Sequence, residues 1–105
     1  MKKLLKALNE TGIIYAYHHF AEGEAPGTPF ICYTLPNSDN FSADGTVYKK
    51  ITAVSVELYT DKKDLCAEAK VEEALKNNGF FYNKSETWIQ SELLYEIIYN
   101  FEMEA

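Results

Sequence analysis

The stretch Ile51–Gly79, ITAVSVELYTDKKDLCAEAKVEEALKNNG, contains the change of period that decides how the chain folds. Thr52, Val54, Val56 and Leu58 alternate with Ser55 and Glu57, the period of two of a half-buried strand. Asp61-Lys62-Lys63-Asp64 then interrupts the alternation. Asp64 is placed to cap a helix, its carboxylate accepting from a free backbone N–H of the first turn. Ala67, Val71, Ala74 and Leu75 follow at helical spacing. Glu68, Lys70, Glu72, Glu73 and Lys76 fall elsewhere around the wheel, and the three glutamates read as an acidic, solvated face. Gly79, after Asn77-Asn78, supplies a left-handed stop. A strand, a short connection and an amphipathic helix make a unit that needs more sheet to cover.

The flanking sequence supplies it. On the N-terminal side, Lys2 to Glu10 reads as a short helix with Leu4, Leu5 and Leu8 on one side and Gly12 as terminator. A helix so short is marginal alone and must dock. Residues 13–20 are β-prone, and Glu22 to Gly27 is a turn-rich connection. Phe30 to Leu35 is a second strand between Pro29 and Pro36, and Asn37 to Gly45 is a polar loop carrying Phe41. A third strand starts near Val47. On the C-terminal side, Phe80–Tyr82 reads as a short fourth strand, and 83–91 as a polar connection holding Trp88. Leu93, Tyr95, Ile97, Tyr99, Phe101 and Met103 alternate against Glu96, Asn100 and Glu102, a final strand expected beside the one at Val54–Leu58. The expected fold is α+β: two helices packed on a mainly antiparallel sheet, in the order α-β-β-β-α-β-β.

At 105 residues, with no internal repeat or linker, the chain is expected to form one domain over 1–105. Eight Tyr and six Phe make it rich in aromatics, as a sheet core or an adhesive surface requires. The net charge is −6 and the sequence contains no Arg. A dense cationic face and bidentate base readout are therefore both missing, which disfavours nucleic-acid binding. The same balance disfavours an anionic membrane surface. The apolar run after Met1-Lys2-Lys3 ends after two residues, and no stretch approaches a membrane span, so the protein is expected to stay where it is made. Cys32 and Cys66 are isolated, which suggests two reduced, partly buried thiols.

No catalytic motif stands out. His18-His19 on a strand would point to opposite faces and could not share one ion. Asp39, Asn40, Asp44 and Gly45 lack the spacing of a calcium loop: Phe41 sits where oxygen is needed, and no Glu closes the loop. The sequons at Asn9, Asn40 and Asn83 carry no weight without a secretory signal. Nucleophile elbow, phosphate loop and dinucleotide fingerprint are all missing. Nothing selects a carboxylate pair from sixteen acids. The sequence therefore suggests no enzyme, no cofactor and no metal. Phe41 and Trp88, large aromatics amid polar residues, resemble interface anchors instead, with Asp39, Asn40 and Asp44 beside Phe41 as candidate partner contacts.

Four stretches carry a resemblance: YHHFAEGEAP (Tyr17–Pro26), PFICYTLPNSDNFSADG (Pro29–Gly45), VELYTDKKD (Val56–Asp64) and LYEIIYNFEME (Leu94–Glu104). They resemble small prophage proteins of Gram-positive bacteria, similar to the tail terminator, or tail-to-head joining (tail completion), family of long-tailed bacteriophages. The family's helix–strand–strand–strand–helix–strand order matches, with Phe80–Tyr82 as one strand more. The resemblance implies a structural protein of the virion tail or neck, assembled in the bacterial cytoplasm. It implies a homo-oligomeric ring, typically of six subunits, that caps the tail tube, ends its polymerisation and joins it to the head connector. Partners would be the chain itself, the tube protein and the connector protein, with no sequence-specific nucleic acid and no membrane. Two further readings stay open: another neck or tail-completion component, and an unrelated small α+β binding or regulatory module.

Overall fold

A computed structural model describes residues 2–20, 26–36, 38–40 and 50–104. The element order is α1 (Lys2–Glu10), β1 (Tyr15–Tyr17), β2 (Phe30–Thr34), β3 (Ser38–Asn40), β4 (Lys50–Thr60), α2 (Leu65–Asn77), β5 (Asn83–Ile89) and β6 (Leu94–Glu104). The architecture is α+β, as expected. Six strands form one sheet in the order β1-β2-β4-β6-β5, with β3 pairing with β4 off that path. All pairings are antiparallel except β1 with β2. β6 lies beside β4, the neighbour expected for it, with Val54 opposite Phe101, Val56 opposite Tyr99 and Leu58 opposite Ile97.

The period of two becomes a two-sided sheet. Ile31, Tyr33, Thr52, Val54, Val56, Leu58, Ile97, Tyr99, Phe101 and Met103 face the helices and are buried. Leu4, Ala7 and Leu8 of α1 and Ala67, Val71 and Leu75 of α2 close the core over them. Asp64 caps α2 as its position predicts, its Oδ1 accepting from the Ala67 N–H at 3.0 Å. Gly12 and Gly79 end the helices at φ +72° and +77°, the left-handed region open to glycine. Buried Asn78 ties the helices together: its Nδ2 donates to Glu10 Oε1 at 3.0 Å and to the Ala74 carbonyl at 2.7 Å.

Three expectations change. The order is α-β-β-β-β-α-β-β, because Ser38–Asn40, inside the expected Asn37–Gly45 loop, pairs with Lys50–Thr52. Phe80–Tyr82 is not a strand. The Phe80 N–H donates to the Leu75 carbonyl at 2.9 Å and Gly79 to Lys76 at 3.0 Å, so Phe80 belongs to the stop of α2 and stacks on Phe101. The expected connection 83–91 instead contains β5, which borders β6 and forms one edge of the sheet. Its residues show no apolar alternation, because Lys84 and Glu86 lie in register with Tyr99 and Ile97 and meet charges rather than hydrocarbon.

Candidate interface

Charges of α2 anchor that edge strand. Glu68, expected in the solvated face, is 2% exposed. Lys63 reaches its Oε2 at 2.9 Å and Lys84 its Oε1 at 2.7 Å. Lys84 is thus the group that meets the buried Oε1, as an ion pair. Lys63 also pairs with Glu86, while Lys84 and the Tyr99 hydroxyl reach Glu72 Oε2 at 2.7 and 2.8 Å. Burial alone would raise the Glu68 carboxyl, but Lys84 and Lys63 hold it below the ordinary carboxylate range. The chain Glu86–Lys63–Glu68–Lys84–Glu72 alternates in sign and joins β5 to α2.

The opposite face of the sheet has neither helix on it. By register it presents Phe30 and Cys32 of β2, Ile51, Ala53, Ser55, Glu57 and Tyr59 of β4, and Glu96, Ile98, Asn100 and Glu102 of β6. Such a face is ordinarily polar; here it is mixed. Phe30 stacks on Tyr59 at 5.1 Å, and Phe20 meets Phe30 edge-on at 5.5 Å. With Leu94 and Ile89 from the β5–β6 end, these rings line a cleft of about 660 Å³. The Tyr59 hydroxyl donates to Glu96 Oε2 at 2.9 Å and lies 3.4 Å from Glu57 Oε1. Burial, then Glu96, pushes the Glu57 carboxyl up to about 6.

His18 and His19 line the same cleft, and not on opposite faces of a strand. β1 ends at Tyr17, and His18 takes φ +67° in a three-residue turn closed by the His19 N–H on the Tyr17 carbonyl at 2.7 Å. The rings consequently meet, Nδ1 to Nδ1 at 2.8 Å. Among the described residues no group of three or more His, Cys, Asp or Glu is arranged to hold a metal ion. Cys32 is buried as expected; Cys66 is exposed, one residue into α2 on its outer side.

The candidate contacts do not converge. Asp39 and Asn40 stand in β3 opposite Ile51 and Lys50, while Trp88 stands in β5 opposite Tyr95, itself opposite Thr60. Nine residues of β4 separate these levels, roughly 30 Å at strand rise. Trp88 is 41% exposed, packs edge-on against Tyr95 at 4.7 Å and donates from Nε1 to Gln90 at 2.8 Å. Phe41 and Asp44 lie outside the described residues. What sequence reasoning missed is Phe81, 93% exposed beside the end of α2, and the Phe20–Phe30–Tyr59 cleft. Phe81 looked like strand; the cleft joins residues from four separate stretches, so no local pattern betrays it.

A likeness to a solved structure covers this fold almost end to end. A chain in the virion of a native gene transfer agent particle superposes with a TM-score of 0.62, covering 98% of this chain and 88% of that one at 12% identity. The two chains share a fold. No family model matches the sequence, and no curated protein matches it. No helix among the described residues is long and apolar enough to cross a membrane.

Proposed function

We propose that this protein is a structural component of a virion, a tail terminator that closes as a ring on the end of the tail tube, stops its growth and presents a docking face to the head connector. The observation that carries the reading is the fold shared with a virion chain over 98% of the residues. The sequence resemblance supports the finer placement at the tube end. On this reading the protein acts by shape and association and turns over no substrate. A heterologous ring offers the tube a matching face and no surface that continues it, so the stop signal is geometric.

The experiment uses purified tube protein polymerising with and without the chain, with tube lengths scored by electron microscopy. Shortened tubes carrying a terminal ring are the expected result. Unchanged lengths together with binding to purified connector would replace this reading with a neck component, and binding to neither would overturn both.

A further inference from the structure

We propose that copies of this chain join head to tail, Phe81 of one copy entering the Phe20–Phe30–Tyr59 cleft on the sheet face of the next that carries neither α1 nor α2. The contact rests on the ring reading above and supplies its subunit interface.

Phe81 is the most exposed large apolar side chain among the described residues, at 93%, so no described neighbour shields it. It lines a hollow with Glu73 and Lys76 of α2 and therefore stands on the helix side of the molecule. The cleft opens on the other side and at the other end. Phe81 lies near the Asn83–Asn100 level and the cleft at Leu94, six residues along β6, roughly 20 Å. A knob and a hole on opposite sides of one chain cannot satisfy each other within a copy. They can satisfy each other in series, as a heterologous contact, the kind that builds a ring when its rotation closes.

The sizes agree. The cleft, at about 660 Å³, has room for a phenyl ring, and its aromatic walls allow edge-to-face packing. Lys2, Lys3 and Lys6 gather around Gly79, two residues from Phe81, with Lys76 beside it. Acids share that side: Glu10 pairs with Lys6 at 3.8 Å, Glu102 and Glu104 line a hollow with Lys3 and Gly79, Glu73 lies beside Phe81, and Glu72 is engaged by Lys84 and Tyr99. The cleft is bordered by Glu92, and its Tyr59 wall carries Glu57 and Glu96. The rim of the aromatic knob is thus mixed in charge, and its lysines are the groups that can face the carboxylates around the aromatic hole. Charges so placed orient the encounter, and the buried ring supplies the hot spot.

Two variants test the contact. Phe81→Ala removes the knob. Gly27→Trp fills the hole from its rim, where a Cβ meets nothing within 4 Å; Ser91→Trp fills it from the other rim should Gly27→Trp fail to fold. Sedimentation velocity up to about 1 mM is expected to show wild type assembling beyond a dimer and each variant at least about tenfold weaker. An equimolar mixture of Phe81→Ala with a cleft-filled variant is expected to form a one-to-one dimer that grows no further, because one knob and one hole remain. Phe81→Ala assembling like wild type, a mixture without that dimer, or a wild type that stays monomeric would overturn the contact. Tube capping by wild type and Phe81→Ala alike would overturn it while leaving the proposed function standing.

Discussion

Glu57 shows how one side chain reports on the face it occupies. Its carboxyl is pushed up to about 6 by burial and by Glu96, so the folded state favours the protonated form. The stability this group contributes is full below the ordinary carboxylate range and is lost as pH rises from there through about 6. Because Glu57 is partly exposed, solvent screening holds the effect to about 1 kcal/mol. Glu57→Gln is therefore expected to be more stable than wild type at pH 8 and equal to it at pH 4, as urea unfolding at the two pH values would show. Ile97 illustrates the other side of the sheet. It is fully buried, and Ile97→Ala is expected to cost roughly 2–5 kcal/mol by the same measurement. The cysteines give a chemical check on both surfaces. Exposed Cys66 should react with a thiol reagent in the native state. Cys32 should react only on unfolding, since burial, then Glu57 and Glu96, raise its thiol further from the reactive thiolate.

At the scale of elements, the edge strand β5 depends on charge more than on hydrocarbon. Its residues are exposed up to Ile89, yet Lys84 and Glu86 bind it to Lys63, Glu68 and Glu72. Glu68 cannot be stranded cheaply at 2% exposure. Lys84→Met is expected to cost roughly 1–3 kcal/mol, reduced from the fully buried case because the lysine is itself partly exposed. In a double-mutant cycle with Glu68→Gln the coupling should be about 1 kcal/mol or more. Hydrogen exchange of the β5 amides should quicken in the Lys84 variant while the β4–β6 core stays protected. A coupling near zero would show that strand pairing alone retains β5. The same charges explain why this strand was illegible: Lys84 and Glu86 point to the helix side, where a local pattern expects apolar residues.

For the whole molecule, the consequence is a body with one finished side and one unfinished side. The helix side carries the closed core; the other side carries Phe30, Tyr59 and Ile98, with neither α1 nor α2 over them. Trp88 sits apart from this face, packed on Tyr95 at the sheet edge. Trp88→Ala should cost about 0.5–1.5 kcal/mol, the worth of an aromatic pair. If the edge meets the tail tube, the variant should also let tubes grow longer in the polymerisation assay; unchanged tube lengths would remove Trp88 from the partner surface.

Local pattern by itself determined α1, β2, β4, α2 and β6, because each of these buries an apolar stripe whose spacing is a local property; the pairing of β4 with β6 was anticipated as a choice of topology and is set by the tertiary structure. The cap at Asp64 and the stops at Gly12 and Gly79 were legible for the same reason: each answers a backbone requirement within a few residues. Only tertiary structure decided that the apparent strand at Phe80–Tyr82 is a helix stop, that 83–89 is a strand, and that Glu68 is buried. Each of these segments has a partner elsewhere in the chain that no local pattern reveals: Phe101 stacks on Phe80, β6 pairs with 83–89, and Lys84 meets Glu68. The aromatic cleft belongs to this second class, since four distant stretches must fold before its walls meet.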